Sequence, residues 1–131
     1  THIHYFTKNS KDFIFNVDDI RVPSARQLKY NDKRANNKGK VPDDTWQMSR
    51  VCGTFKERVE NHPCQMPERV IERIIKASSN VGDLVLDPFC GSGTTAAVVK
   101  KHDRHYISFE LDQVYFKESI KRLKNIGEEV A

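Results

Sequence analysis

Two acids and a pair of glycines set the chemistry open to this 131-residue chain. The stretch LVLDPFCGSGTT, Leu84 to Thr95, runs three apolar residues into Asp87 and then into Gly91 and Gly93. Such a run reads as a buried strand that delivers a carboxylate to a crevice at its carboxyl end. The glycines permit a tight turn and close backbone approach by a ligand. Thr94 then opens TTAAVVKK, a segment suited to a helix packed on that strand. A second apolar run, HYISFELD, carries Glu110, which lies 19 residues beyond Gly91. That is close to the roughly 20-residue interval at which an acid on the next strand reaches ribose hydroxyls.

Three nucleotide ligands compete for such a turn. A phosphate-cradling P-loop needs Gly-Lys-Ser/Thr, whereas Gly93 is followed by Thr94. A nicotinamide dinucleotide site usually wants a third glycine, and three residues after Gly93 the chain has Ala96. S-adenosylmethionine suits both acids, because Asp87 can pair with a ligand ammonium group while Glu110 accepts from two ribose hydroxyls.

The surrounding elements must hold these acids in place. Val70, Ile71, Ile74 and Ile75 fall at helical spacing after Pro67, which suits a first helical residue, and SSNVGD ends that helix. Phe116, Ile120 and Leu123 predict a last helix that closes at Gly127. The order helix, strand, helix, strand, helix implies parallel strands in an α/β layer. Upstream, residues 3–6 and 13–15 are aromatic and branched, and the polar TKNSKD between them predicts a strand hairpin within residues 1–17. Residues 18–61 read as an extended, basic, loop-rich segment, with Tyr30 and Trp46 as ordering contacts or base-stacking surfaces.

Charge is regional. The net +4 conceals ten Lys or Arg against four acids between Ile20 and Arg58, a balance suited to a polyanion. Arg26, Gln27, Lys29, Lys33, Arg34, Lys38, Arg50, Lys56 and Arg58 are the candidate phosphate or base-edge partners. Cys52, Cys64 and Cys90 are odd in number and widely spaced, which argues for a reducing, cytoplasmic setting over a disulfide framework. No CxxC pair accompanies His62 and Cys64, so no metal site is expected. No apolar run reaches membrane-spanning length, and no signal peptide is visible.

DPFCGSGTT, with HPCQMPERVIERII before it and FELD with a following Tyr after it, resembles the cofactor-binding half of the bacterial DNA amino-methyltransferases of the beta arrangement. The upstream DDIRVPS and DKRANNKGKVPDD stretches resemble the recognition segment of those enzymes. The resemblance implies a partial Rossmann-like α/β fold with a recognition insertion at 18–61 and an S-adenosylmethionine-binding subdomain at 62–131. It further implies that Asp87, Phe89, Gly91, Ser92 and Gly93 line the methionine part of the cofactor, with Thr94 beside them. Glu110 would hold the ribose, and the HPCQMP stretch, headed by His62 and Pro63, would close over the ligand. Two positions depart from the family pattern: Met66 stands where many relatives have lysine, and Ser108 where a glycine commonly precedes the acid.

In that family an Asp, Asn or Ser followed by Pro-Pro and an aromatic residue serves the flipped base. No such tetrapeptide occurs in these 131 residues, so no catalytic residue is assigned. In the beta arrangement the motif precedes the recognition region. The chain therefore reads as half of an enzyme that acts on double-stranded DNA, with adenine N6 as the expected target, completed by an N-terminal half or a second subunit. Self-association as a homodimer would cover apolar surface left by a missing half. A non-catalytic DNA- or cofactor-binding module is the reading from a different class, and a nucleotide-dependent oxidoreductase is a third.

Overall fold

The computed structural model describes residues 1–60 and 62–126. Four helices and two strands matter to the site. The short α1 is Ala25–Leu28 and α2 is Glu68–Ser78. The strands are β1, Leu84–Asp87, and β2, His105–Ser108, with α3, Thr94–Lys101, between them and α4, Gln113–Asn125, last.

Helix α2 forms where the apolar stripe predicted it, but Pro67 is its N-cap and not its first helical residue. Its far end is stitched to distant chain. Asn16 Nδ2 donates to the Lys76 and Ser79 carbonyls at 3.2 and 2.9 Å, and Arg104 donates to the same Ser79 carbonyl at 2.9 Å. These donors satisfy carbonyls that a helix end leaves without partners.

Strands β1 and β2 pair in parallel, in a register running from Leu84 opposite His105 to Asp87 opposite Ser108. Strand β2 stops at Ser108, so Glu110 lies two residues past the ladder and not within it. Helix α3 is the centre of the packing, with Ala96, Ala97, Val98 and Val99 all at most 2% exposed. On one side Val98 and Val99 meet Ile75, Ile71 and Val85, and on the other Ala96 and Ala97 meet Leu123 and Ile126. Small residues let α4 approach α3 closely, and β-branched ones fill the gap to α2 and β1.

The opposite face of the sheet is uncovered. Leu84 and Leu86 are 62% and 63% exposed and Ile107 is 45% exposed. This corrects the expectation of a buried strand: β1 is covered on one face only, whereas parallel sheets ordinarily bury both.

The expected N-terminal hairpin is also corrected. No backbone ladder joins 3–6 to 13–15 among the described residues. The two runs do fold back on each other, with the Tyr5 ring 6.3 Å from Phe13 and 6.0 Å from Phe15 and its hydroxyl donating to the Ile14 carbonyl. The linker TKNSKD lacks an Asn-Gly or Asp-Gly turn, and two strands without a third or a covering helix are marginal in water.

The basic segment has more local order than its composition suggested. A 3-10 turn spans Val17–Ile20, Val22 bridges to Lys40 in antiparallel fashion, and Ser24 and Gln27 form a reciprocal capping box at α1. Trp46 settles on α2 with the Arg73 guanidinium 4.6 Å from its ring centre, while its Nε1 donates to the Asp43 carbonyl. The predicted stop at Gly127 and the boundary at residue 61 fall outside the described residues. No described helix is long and apolar enough to cross a membrane.

Packing of this kind predicts an asymmetric response to truncation. Ile75→Ala should lower unfolding free energy by about 2–5 kcal/mol. Leu86→Ser, on the uncovered face, should change it by no more than about 0.5 kcal/mol. Urea denaturation followed by circular dichroism measures both.

Candidate functional site

Parallel pairing brings the carboxyl ends of β1 and β2 side by side, and the backbone continues the pairing past both strands. Phe109 N–H donates to the Asp87 carbonyl and Cys90 N–H to the Phe109 carbonyl, both at 3.0 Å. Glu110 is thereby carried over the glycine turn. Its Oε2 accepts from Gly91 N–H at 2.8 Å and its Oε1 from Asp112 N–H at 2.9 Å. Asp87 Oδ1 accepts from Phe89 N–H at 3.1 Å. Each carboxylate is oriented by backbone donors and keeps further lone pairs for a ligand.

Cys90 lies in the turn, between the two acids in sequence. Burial pushes its thiol above the usual range, and the negative charges of Asp87 and Glu110 push in the same direction. A single side chain feels both carboxylates.

Gly91 and Gly93 are both left-handed, at φ +51° and +74°. A Cβ on Gly91 would come 2.7 Å from His62 Nε2, and one on Gly93 would come 2.7 Å from Ser119 Cβ. The turn therefore lies pressed between the His62 ring and α4. His62 meets the Tyr115 ring edge-on at 4.7 Å, which places the start of the HPCQMP stretch over Gly91. Its Nδ1, like Ser108 Oγ, is buried with no hydrogen-bond partner among the described residues.

The remaining candidates divide by exposure. Phe89 is 88% exposed and so takes no part in the core. Ser92 and Thr94 are buried, their hydroxyls 3.4 Å apart, and they brace the turn from within. Pro63 is exposed.

Sequence reasoning missed the α4 residues behind the turn. Tyr115, Ser119 and Arg122 recur at i, i+4 and i+7, one helix face, and that spacing was the available signal. Arg122 Nη1 donates to the Ser92 carbonyl at 3.3 Å and to Thr94 Oγ1 at 3.1 Å, while Nη2 binds Glu68 Oε1 at 2.7 Å. Glu68 Oε2 also pairs with Lys101 at 2.7 Å. Burial acts to raise the Glu68 carboxyl, but its bonds from Lys101 and Arg122 together outweigh it and hold the group below the usual range.

The candidate DNA contacts do not form one cluster. Arg26 and Arg34 share Asp32, at 3.7 and 3.1 Å, and Lys38 pairs with Asp18 at 2.6 Å. Lys29 lies 5.4 Å from the centre of the exposed Tyr30 ring. Lys33 and Arg50 are exposed. Gln27 is occupied by local structure, its Oε1 accepting from Ser24 and its Nε2 donating to the Asn36 and Asn37 carbonyls. Lys56 and Arg58 instead line a groove of about 660 Å³ with Lys101, Lys121 and Arg122. That groove excludes Asp87, Glu110 and the glycines. The surface around the acids is open, with Leu111 98% and Phe89 88% exposed.

Gly93→Ala should destabilise the fold by at least about 1–2 kcal/mol from its left-handed backbone alone. Gly53→Ala, with nothing within 4 Å of its added Cβ, should shift stability by no more than about 0.5 kcal/mol. Glu68 adds a pH dependence. Its folded pKa is lowered, so its contribution is complete above the ordinary glutamate range and is lost as pH falls through the folded value. Urea midpoints across the acid range should therefore drop less steeply in Glu68→Gln than in the parent chain.

Known proteins are similar to this chain in sequence and fold. The DNA methylase family pattern matches residues 1–121. Type II methyltransferase M.HpaI of Haemophilus parainfluenzae is 44% identical over 118 residues, covering 90% of this chain and 36% of that protein. DNA adenine methyltransferase YhdJ of Escherichia coli K12 is 43% identical over 123 residues, covering 88% of this chain and 42% of that one. Among solved structures, the cytosine-N4-specific PvuII DNA methyltransferase superposes with a TM-score of 0.56 at 26% identity, over 67% of this chain and 36% of its own. The chain thus spans less than half the length of these relatives. With the pattern extending from the first residue into α4, the chain belongs to the DNA methylase family.

Proposed function

We propose that this chain is the target-recognition and cofactor-binding portion of an S-adenosylmethionine-dependent DNA amino-methyltransferase that acts on adenine N6. The carrying observation is the parallel register that ends both strands beside the glycine turn, with Glu110 bonded to Gly91 N–H and His62 above Gly91. The donor set fits the ligand. Two oriented carboxylates match an ammonium group and a ribose diol, the left-handed glycines leave backbone room, and exposed Phe89 offers an apolar face to the methionine chain or the purine.

The cofactor would supply an electrophilic methyl on a sulfonium. The work of this chain is to fix the position of that group, because displacement at carbon depends on alignment with the attacking nitrogen. Asp87, Phe89, Gly91, Ser92, Gly93 and Thr94 set the methionine end, Glu110 sets the ribose, and His62 and Pro63 form the cover. Residues 18–61 meet the duplex. Adenine is favoured because the relative named for adenine is the more similar of the two compared.

The groups that would polarise the amino nitrogen of a flipped base are not supplied by any Pro-Pro-aromatic motif in these 131 residues. The exposed Leu84, Leu86 and Ile107 face is where further polypeptide would complete both the sheet and the reaction. A binding module without catalysis remains the reading favoured by the missing motif if no such polypeptide exists. A bacterial cytoplasmic setting accords with this substrate.

Calorimetric titration should show the chain binding S-adenosylmethionine and not NAD, with Glu110→Ala weakening binding at least about tenfold. Binding of NAD in preference would overturn the methyltransferase reading. Duplex affinity should fall steeply with salt, and neutralising Arg26, Lys33 and Arg34 together should flatten the logarithmic salt slope by about 2–3. An unchanged slope would remove these residues from the DNA interface.

A further inference from the structure

Arg122 stands 28 to 30 residues beyond the turn it touches, on a helix that contributes none of the proposed ligand contacts. We infer that Arg122 is a positioning residue for the cofactor turn, clamping the Ser92–Thr94 bend to the start of α2 through Glu68. The inference rests on the cofactor reading above.

The geometry is that of a two-sided brace. One guanidinium nitrogen serves the turn, at the Ser92 carbonyl and Thr94 Oγ1, and the other serves Glu68. The Arg122 side chain is only 10% exposed, so these bonds form where water competes poorly and charge-assisted contacts are strongest. Glu68 directly follows Pro67, the last residue of the HPCQMP stretch, and its own N–H donates to Glu57 Oε2 at 2.8 Å. The two segments assigned to the cofactor, the glycine turn below and HPCQMP above, are therefore tied together behind the cleft by one side chain. His62 over Gly91 is the contact in front. Gly91 and Gly93 have no side chains, so beyond the Gly91 N–H bond to Glu110 the bend is held by what grips Ser92 and Thr94.

Lys101 supplies the control. It makes the second bond to Glu68 yet touches no atom of the turn in the contacts described. A purely structural role for the ion-pair network predicts similar consequences from losing either cation. A positioning role separates them.

The test compares Arg122→Met, Arg122→Lys and Lys101→Met for thermal midpoint, S-adenosylmethionine affinity by calorimetry, and hydrogen exchange of the Gly93 amide, which donates to the Cys90 carbonyl at 2.8 Å. Arg122→Met should weaken cofactor binding about tenfold and speed Gly93 exchange, whereas Lys101→Met should stay within about twofold. Arg122→Lys keeps a charge for Glu68 but cannot span both partners, so it should recover stability more fully than affinity. Should Arg122→Met fail to fold, Arg122→Lys carries the comparison. Parent-like affinity and exchange in a folded Arg122 variant, or equal losses in Lys101→Met, would overturn the clamp. A parent chain that binds no S-adenosylmethionine would instead defeat the cofactor reading, and Gly93 exchange would still decide whether Arg122 holds the turn.

Discussion

The parallel register of two four-residue strands governs everything else in this molecule. Because Asp87 lies opposite Ser108, the chain leaves β1 and β2 at the same end and on neighbouring tracks. Two carboxylates then arrive within reach of one cysteine and one glycine turn. An antiparallel pair would have sent them to opposite ends of the sheet. The bond from Gly91 N–H to Glu110 fastens this end, replacing ladder bonds where the strands have already stopped.

Such a short ladder cannot hold itself, and the support comes from one side only. Helix α3 is buried between α2 and α4 and lends its small and branched residues to both neighbours. The Arg122, Glu68 and Lys101 network joins the same three helices behind the turn. Covered from one face and open on the other, the sheet presents its acids at the boundary between packed and unpacked surface. That boundary is a suitable place for a ligand that must meet a second reactant.

Much of the site was legible because local pattern and tertiary role agree there. The run Leu84 to Asp87 became a strand ending in an acid, and TTAAVVKK became α3 with the predicted bounds. The interval from Gly91 to Glu110 carried real information because parallel strands linked by one helix return to the same end. Other features depend on partners that local sequence does not specify. Residues 3–6 and 13–15 have strand composition, but pairing needs neighbours that cover their aromatic faces, and Phe6 remains 87% exposed. Strand β1 looked buried because apolar composition does not tell one covered face from two. For Arg122 the helix-face spacing marked only a shared face, because what that face touches follows from where α4 docks. Gln27 was read as a base-edge partner, and its amide also closes a capping box with Ser24.

The central claim is that Asp87 and Glu110 grip a single ligand. Backbone amide shifts are the most direct measure, since Phe89 N–H reports on Asp87 while Gly91 and Asp112 N–H report on Glu110. Titration of a nitrogen-15-labelled chain with S-adenosylmethionine should move all three amides along one binding isotherm. Shifts at one acid alone, or shifts confined to the groove between Lys56 and α4, would contradict the account.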